Sequence, residues 1–220
     1  MYSSSKRTMA ADFFRILFTV LLVMDPIGVV PQFLAITAHY DEAARRRIIV
    51  KAILAAGCVL LVFLLIGKLL LDFFGIMPGA FYISGGILFF LIAFEMIYSR
   101  PGTRSVPPDE AQPAQSENAG ISVAVFPLAI PLIAGPGILT VIIMFITSGK
   151  SWIYSFCLLL PAILISLAVA FVILRFSTLL LNFLGAMGIF IMEKIMGLIL
   201  AGFAVQFIYN GLTALGIIGR

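Results

Sequence analysis

The sequence predicts an all-α membrane protein, with six transmembrane helices in two inverted-topology three-helix repeats and the first helix of each repeat broken at mid-membrane. Three observations predict it. Of 220 residues, 62% are hydrophobic and 11% charged, against about 25% charged in a soluble domain; a soluble fold of this size cannot bury helices that are apolar all round. The apolar run from Phe13 to Thr37 is interrupted by Met24-Asp25-Pro26-Ile27-Gly28, and the run from Ile121 to Ser148 by Ala134-Gly135-Pro136-Gly137. The two interruptions stand 110 residues apart, half the chain length.

Residues 1–11 form a short polar start. The first span, Phe13 to Thr37, is long enough to cross the ~30 Å hydrocarbon core. Its centre cannot be ordinary helix, because Pro26 has no amide hydrogen and drives Asp25 out of the α region. Lys6 and Arg7 ahead of the run imitate a secretory signal, but no small-residue cleavage site follows and Asp25-Pro26 interrupts it, so the run reads as a mature span. His39 to Lys51 is a polar loop in which His39 reads as a solvated interface residue. A second span runs from Ile48 to Leu71, with Lys68 close enough to its end to snorkel. A breaker-rich turn, Asp72 to Gly79, leads to a third span from Ala80 to Tyr98, where Gly85-Gly86 permit close helix packing. These elements, 1–100, make the first repeat. The segment 101–120, rich in Pro, Gln, Ser and Glu, reads as a flexible polar linker. The second repeat, 121–220, holds a broken fourth span, a fifth from Trp152 to Leu181 and a sixth from Ile191 to Tyr209, all in one integral membrane domain. Cys58 and Cys157 have no metal-like spacing and read as small core residues.

The repeat rests on identities that share one register. At an offset of 110, Pro26 meets Pro136, Thr37 meets Thr147, and Phe73, Gly75 and Met77 meet Phe183, Gly185 and Met187. One further residue aligns Gly86 with Gly197, Ala93 with Ala204, and Ile97-Tyr98 with Ile208-Tyr209. Three spans per half make the second half enter the membrane from the opposite side. With the amino terminus outside, the inner segments hold Arg45, Arg46, Arg47, Lys51, Arg100, Arg104, Arg175 and Lys194, eight basic residues against six, which favours a periplasmic amino terminus.

Each break provides the start of a new half-helix. In the first, Asp25 reads as an N-cap and Pro26 as the first helical residue, so the amides of Ile27, Gly28 and Val29 face the gap. In the second, Gly135 takes the cap position, Pro136 follows, and Gly137, Ile138 and Leu139 offer their amides. Helix amino ends attract anions, and a carboxylate stands beside only one of these two. A zwitterion fits that asymmetry: Asp25 takes an ammonium, while the amides of the second break and the Thr140 hydroxyl take a carboxylate. The missing side chains at Gly28, Gly135 and Gly137 leave room for a small ligand. The expected substrate site is therefore Asp25, Pro26, Gly28, Gly135, Pro136, Gly137 and Thr140, with Asp25 and Glu95 as ion-coupling candidates. The plain alternative is that Asp25 caps a kinked helix and Gly-Pro-Gly allows tight packing. Glu95 and its repeat partner Gln206 stand near span ends, and Glu193-Lys194 flanks the sixth span.

Met24-Asp25-Pro26-Ile27-Gly28 with Pro31, Phe126-Pro127-Leu128-Ala129-Ile130-Pro131-Leu132-Ile133-Ala134-Gly135-Pro136-Gly137, and Ile195-Met196-Gly197-Leu198-Ile199-Leu200-Ala201 with Val205-Gln206-Phe207 resemble the MarC family of integral membrane proteins (UPF0056-like). The likeness covers nearly the whole chain except the linker. It implies six spans and kinship with small exporters of the lysine-exporter type, among which a neutral amino acid transporter for glycine and alanine indicates the substrate. The family's antibiotic-resistance label derives from genomic neighbourhood and argues little for drug efflux. Glu193-Lys194 departs from the family pattern, where an arginine without the preceding acid is expected.

The sequence thus predicts a secondary transporter of the bacterial inner membrane, moving a small zwitterion such as glycine or alanine by alternating access, coupled to H⁺ or Na⁺. Two alternatives stand beside it: a non-transporting structural or regulatory membrane protein, and an efflux or channel protein for another small solute. No nucleotide loop, triad or His/Cys metal cluster is present in the sequence, so neither enzyme chemistry nor a cofactor is expected. Expected partners are the bilayer, the solute and further copies of the chain, with no nucleic acid.

Overall fold

The computed structural model describes residues 2–98, 124–148 and 151–218. The expected linker, 101–120, and the start of the second repeat at 121 lie outside the described residues. The elements in order are α1 (Tyr2–Met24), α2 (Val29–Ile36), α3 (Glu42–Phe74), α4 (Pro78–Tyr98), α5 (Ala124–Ile133), α6 (Pro136–Ile146), α7 (Trp152–Arg175) and α8 (Ser177–Ala214).

Local chemistry accounts for most of the boundaries. Asp41 caps α3, its carboxylate accepting from Ala44 N at 2.7 Å. The helix ends where Gly75 turns left-handed (φ +66°) and Ile76 N reaches back to Leu71 O at 2.9 Å, the closure that satisfies the last carbonyls of a helix. Gly185, 110 residues later, also has positive φ (+68°) but an extended ψ (168°), and it bends α8 within its 38 residues. α5 is wound as a π-helix, closed at its end by Ala134 N donating to Ala129 O at 2.8 Å. Pro127 and Pro131 have no amide hydrogens for an α-helical ladder, and the wider turn accommodates the gaps.

Among the described residues, α3, α4, α7 and α8 are long and apolar enough to cross a membrane, and α1 from Met9 with α2 makes a fifth span bent by 43°. α6 has 11 residues, about 16 Å at 1.5 Å per residue, too short to cross alone. The six expected spans therefore stand as four, or five with the bent pair, and the place of the expected fourth span is taken by α5 and α6. Large apolar side chains such as Leu69, Phe73, Phe183 and Leu198 are exposed on the outer faces, as lipid requires. Several threonines are satisfied internally: the hydroxyls of Thr19, Thr37, Thr140 and Thr147 each donate to the carbonyl four residues back, which removes their hydrogen-bonding need from lipid. Cys58 and Cys157, expected in the core, are exposed on α3 and α7. A thiol suits a lipid-facing surface as well as a core, and runs apolar on both faces do not tell the two apart.

α4 lies along α8, α1 packs on α7, α3 on α5, α6 and α7, and α6 also on α4. Glycines set the closeness of the α4–α8 contact. A Cβ on Gly86 would stand 2.8 Å from Ala204 O and 2.7 Å from Ile208, and one on Gly197 would stand 2.8 Å from Met96 and 3.3 Å from Ala93 O. Phe89, fully buried, lies 4.9 Å from the Phe207 ring across the same seam. Gly202 on α8 has nothing within 4 Å. Gly86→Val is expected to lower the melting midpoint in detergent sharply and reduce folded yield, whereas Gly202→Ala leaves both unchanged or improves them by up to ~1 kcal/mol; equal melting of the two variants would contradict this packing.

Candidate functional site

The first break is built by Asp25. Its backbone is left-handed (φ +42°), the one such non-glycine among the described residues. Aspartate tolerates that region better than most residues because its short side chain bonds locally. Here Asp25 Oδ1 accepts from Gly28 N at 3.2 Å, and Asp25 O accepts from Val29 N at 3.3 Å. The carboxylate thus holds the turn between α1 and α2, but it is not the helix cap that the sequence suggested: α2 begins at Val29 with Gly28 at its cap position and no side-chain cap, and Pro26 is buried in the turn ahead of it. The amides of Gly28 and Val29, expected to face the gap, are used within this turn.

The second break is capped by backbone alone. Gly135 is extended (φ −74°, ψ 170°), Pro136 holds the first helical position, and no side chain caps α6. Leu139 N, expected to be available, bonds Gly135 O at 3.4 Å. Gly137 and Ile138 hold second and third positions, where helical amides have no intrahelical acceptor.

The two breaks meet on one cavity of about 280 Å³, lined among others by Asp25, Gly28, Gln32, Glu95, Gly135, Pro136, Gly137 and Ile138. Carboxylates and an amide side chain from α1–α2 and α4 stand on one part of its wall, and the positive end of α6 on another. Of the residues the sequence singled out, Asp25, Gly28, Gly135, Pro136, Gly137 and Glu95 line this cavity; Pro26 and Thr140 do not. Thr140 is buried, donates to Pro136 O at 2.9 Å and fills the space that a side chain on Gly85 would need.

The glycines are approached closely by protein side chains. A Cβ on Gly28 would fall on the Asp25 carboxylate, and one on Gly137 would stand 2.8 Å from Phe89 and 3.1 Å from Val23. They make room for protein side chains as well as lining the cavity. Gln32 was missed, although its place one helical turn after Gly28 puts it on the same face. Lys194 donates to Met96 O at 2.6 Å and lies 4.3 Å over Phe190. It ties α8 to the last turn of α4, next to Glu95. Glu193 is buried within α8 rather than flanking a span, with 9% exposure.

A larger cavity of about 820 Å³ opens at the other end, lined by Asp12, Arg15, Ile16, Tyr82, Met144 and Tyr154 among others. Along α1, Ile16 on one cavity and Val23 on the other are seven residues apart, about 10 Å, with fully buried Val20 between them. Tyr82 lines the larger one, its hydroxyl 2.7 Å from Thr147 Oγ1 and 3.1 Å from Met144 O.

Asp25→Asn keeps a side chain able to accept from Gly28 N and to adopt positive φ, so its melting midpoint in detergent is expected within ~0.5 kcal/mol of wild type. Asp25→Ala is expected to lose about 0.5–1.5 kcal/mol with that hydrogen bond. Equal melting of Asp25→Ala and wild type would show that the bond contributes nothing.

A family model described as MarC family integral membrane protein matches residues 10–215. Similar proteins include a UPF0056 membrane protein of Methanocaldococcus jannaschii, 34% identical over 197 residues, covering 90% of this chain and 85% of the relative. The UPF0056 inner membrane protein YhgN of Escherichia coli K12 is 37% identical over 193 residues, 87% and 91% of the two chains. A UPF0056 membrane protein of Pyrococcus abyssi is 35% identical over 195 residues, 86% and 89%. No solved structure matches the chain.

Proposed function

The chain belongs to the MarC family of integral membrane proteins, and from that premise we propose that it is a secondary transporter of a small zwitterionic solute, a neutral amino acid such as glycine or alanine. The observation that carries this reading is the cavity of about 280 Å³ between the two helix breaks, with Asp25 and Glu95 on its wall and the uncapped start of α6 facing the same space. An ammonium is drawn to the carboxylates and a carboxylate to the Gly137 and Ile138 amides. The volume suits a solute of few heavy atoms. Asp25 and Glu95 together also form the place where H⁺ or Na⁺ would couple to transport.

An inverted repeat supplies the movement. Its support is reciprocal contact: Gly86 abuts Ala204 and Ile208, while Gly197 abuts Ala93 and Ile97, and each of these residues is its counterpart shifted by 111. α1 on α7 and α5 on α3 form a second matched pair. Two halves that pack through interchangeable contacts can rock against each other around a shared site, the general plan of many secondary transporters. In this reading α5 and α6 together are the broken counterpart of α1 and α2. The two cavities separated by Val20 are alternate approaches, and the amino terminus of α1 lies on the periplasmic side of a bacterial inner membrane.

A packing role for the second break is favoured at one residue, Gly137, whose missing side chain admits Phe89 and Val23. Uptake and counterflow of radiolabelled glycine and alanine in proteoliposomes, under imposed Na⁺ and proton gradients in turn, separate the readings. The transporter predicts saturable, counterflow-capable flux driven by one gradient and lost in Asp25→Asn, a variant that still folds. Flux without counterflow would indicate a channel. Absence of flux for both amino acids from folded protein would overturn the substrate assignment.

A further inference from the structure

At the end of the molecule bearing Arg45 to Arg47, a separate cavity of about 410 Å³ lies between the start of α3, the end of α7 and the start of α8. Arg45, Arg46 and Arg175 line it, together with a single carboxylate, Glu42. That carboxylate neutralises only part of the charge: Arg175 Nη1 donates to Glu42 Oε1 at 3.1 Å, and the Glu42 side chain is 82% exposed, so solvent screens the pair. Arg45 is held from beneath, Nη2 donating to Thr37 O at 3.2 Å and Nη1 to Thr178 Oγ1 at 3.5 Å. Its Nε is buried and makes no hydrogen bond among the described residues, although a guanidinium normally uses its donors when desolvated.

The surroundings are apolar. Phe176 and Leu179 line the same cavity and are 57% and 66% exposed, and Phe183, one turn beyond Leu179, is 83% exposed. A pocket with two uncompensated guanidinium charges and apolar side chains leading away from it matches a molecule that is anionic at one end and hydrocarbon at the other. Arginine forks fit phosphate oxygens in pairs, and basic pockets between transmembrane helices take lipid phosphates. We propose that this cavity binds the phosphodiester of an anionic phospholipid, with Arg45, Arg46 and Arg175 on the phosphate and the acyl chains along Phe176, Leu179 and Phe183. The site is separate from the cavity between the helix breaks and stands whether or not the chain transports an amino acid.

The test uses the full chain in neutral detergent, titrated with short-chain phosphatidylglycerol while the thermal unfolding midpoint is read. Phosphatidylcholine of the same chain length and inorganic phosphate form the comparison arms. A saturable rise with phosphatidylglycerol is expected, with none from either comparison at equal concentration. Arg46→Gln is expected to weaken the apparent affinity about fivefold, and Arg46→Gln with Arg175→Gln more strongly, from roughly 1 kcal/mol per basic residue. A phosphatidylcholine response equal to that of phosphatidylglycerol, or variants that titrate as wild type, would overturn the proposal. An equal response to inorganic phosphate would make the ligand a soluble anion and overturn the lipid assignment. Arg46 is exposed, so the single variant decides the matter if the double variant does not fold.

Discussion

Backbone polar groups freed inside a membrane must find partners within the protein, because the hydrocarbon offers none and each unsatisfied group costs several kcal/mol. This constraint governs the structure around both helix breaks. At the first, Asp25 meets it directly, bending its own backbone to φ +42° so that its carboxylate reaches Gly28 N. At the second, no side chain caps α6, and the start of that helix is shielded by Phe89 and Val23 on one side while a cavity borders it on the other. Buried Phe89 in turn sits against Phe207 of α8. The seam between α4 and α8 and the uncapped start of α6 therefore belong to one packing unit.

The difference between the breaks also bears on why a carboxylate stands at position 25. A carboxylate at membrane depth costs at least ~2.5 kcal/mol, and a left-handed non-glycine residue adds about 1–2 kcal/mol. The bond to Gly28 N offsets part of this, and a neutral asparagine could make the same bond. What distinguishes the aspartate is its charge, and that is what the proposed function uses.

Much of this was legible in the sequence, and the reasons it stopped are specific. Proline, glycine and aspartate restrict or free the backbone wherever they occur, so both breaks, the turns at Gly75 and Gly185 and the close approach at Gly86 could be read from residue type and spacing. Residues chosen for what they touch could not. Gly28 and Gly137 were read as room for a ligand; a glycine signals that something approaches closely without saying what, and here Asp25 and Phe89 do so beside the cavity. Thr140 was assigned to the site by its neighbourhood, yet a threonine inside an apolar helix can satisfy its hydroxyl on its own i−4 carbonyl, as this one does at Pro136. Gln32 went unnoticed because its significance lies in sharing a helix face with Gly28 rather than in its type. Six spans are not recovered among the described residues, because α6 is short and α5 is wound as a π-helix, and hydropathy registers neither.

The central claim is that the cavity between the breaks holds a small zwitterion. It is tested most directly by a cysteine at Gln32, on the cavity wall, in a chain whose exposed Cys58 and Cys157 are replaced by alanine. Its rate of reaction with a small water-soluble thiol reagent is measured in proteoliposomes with and without saturating alanine or glycine. The account predicts a reactive cysteine whose labelling is slowed severalfold by either amino acid and not by an uncharged amide of the same size. A cysteine that reacts at one rate whatever small solute is present would contradict it.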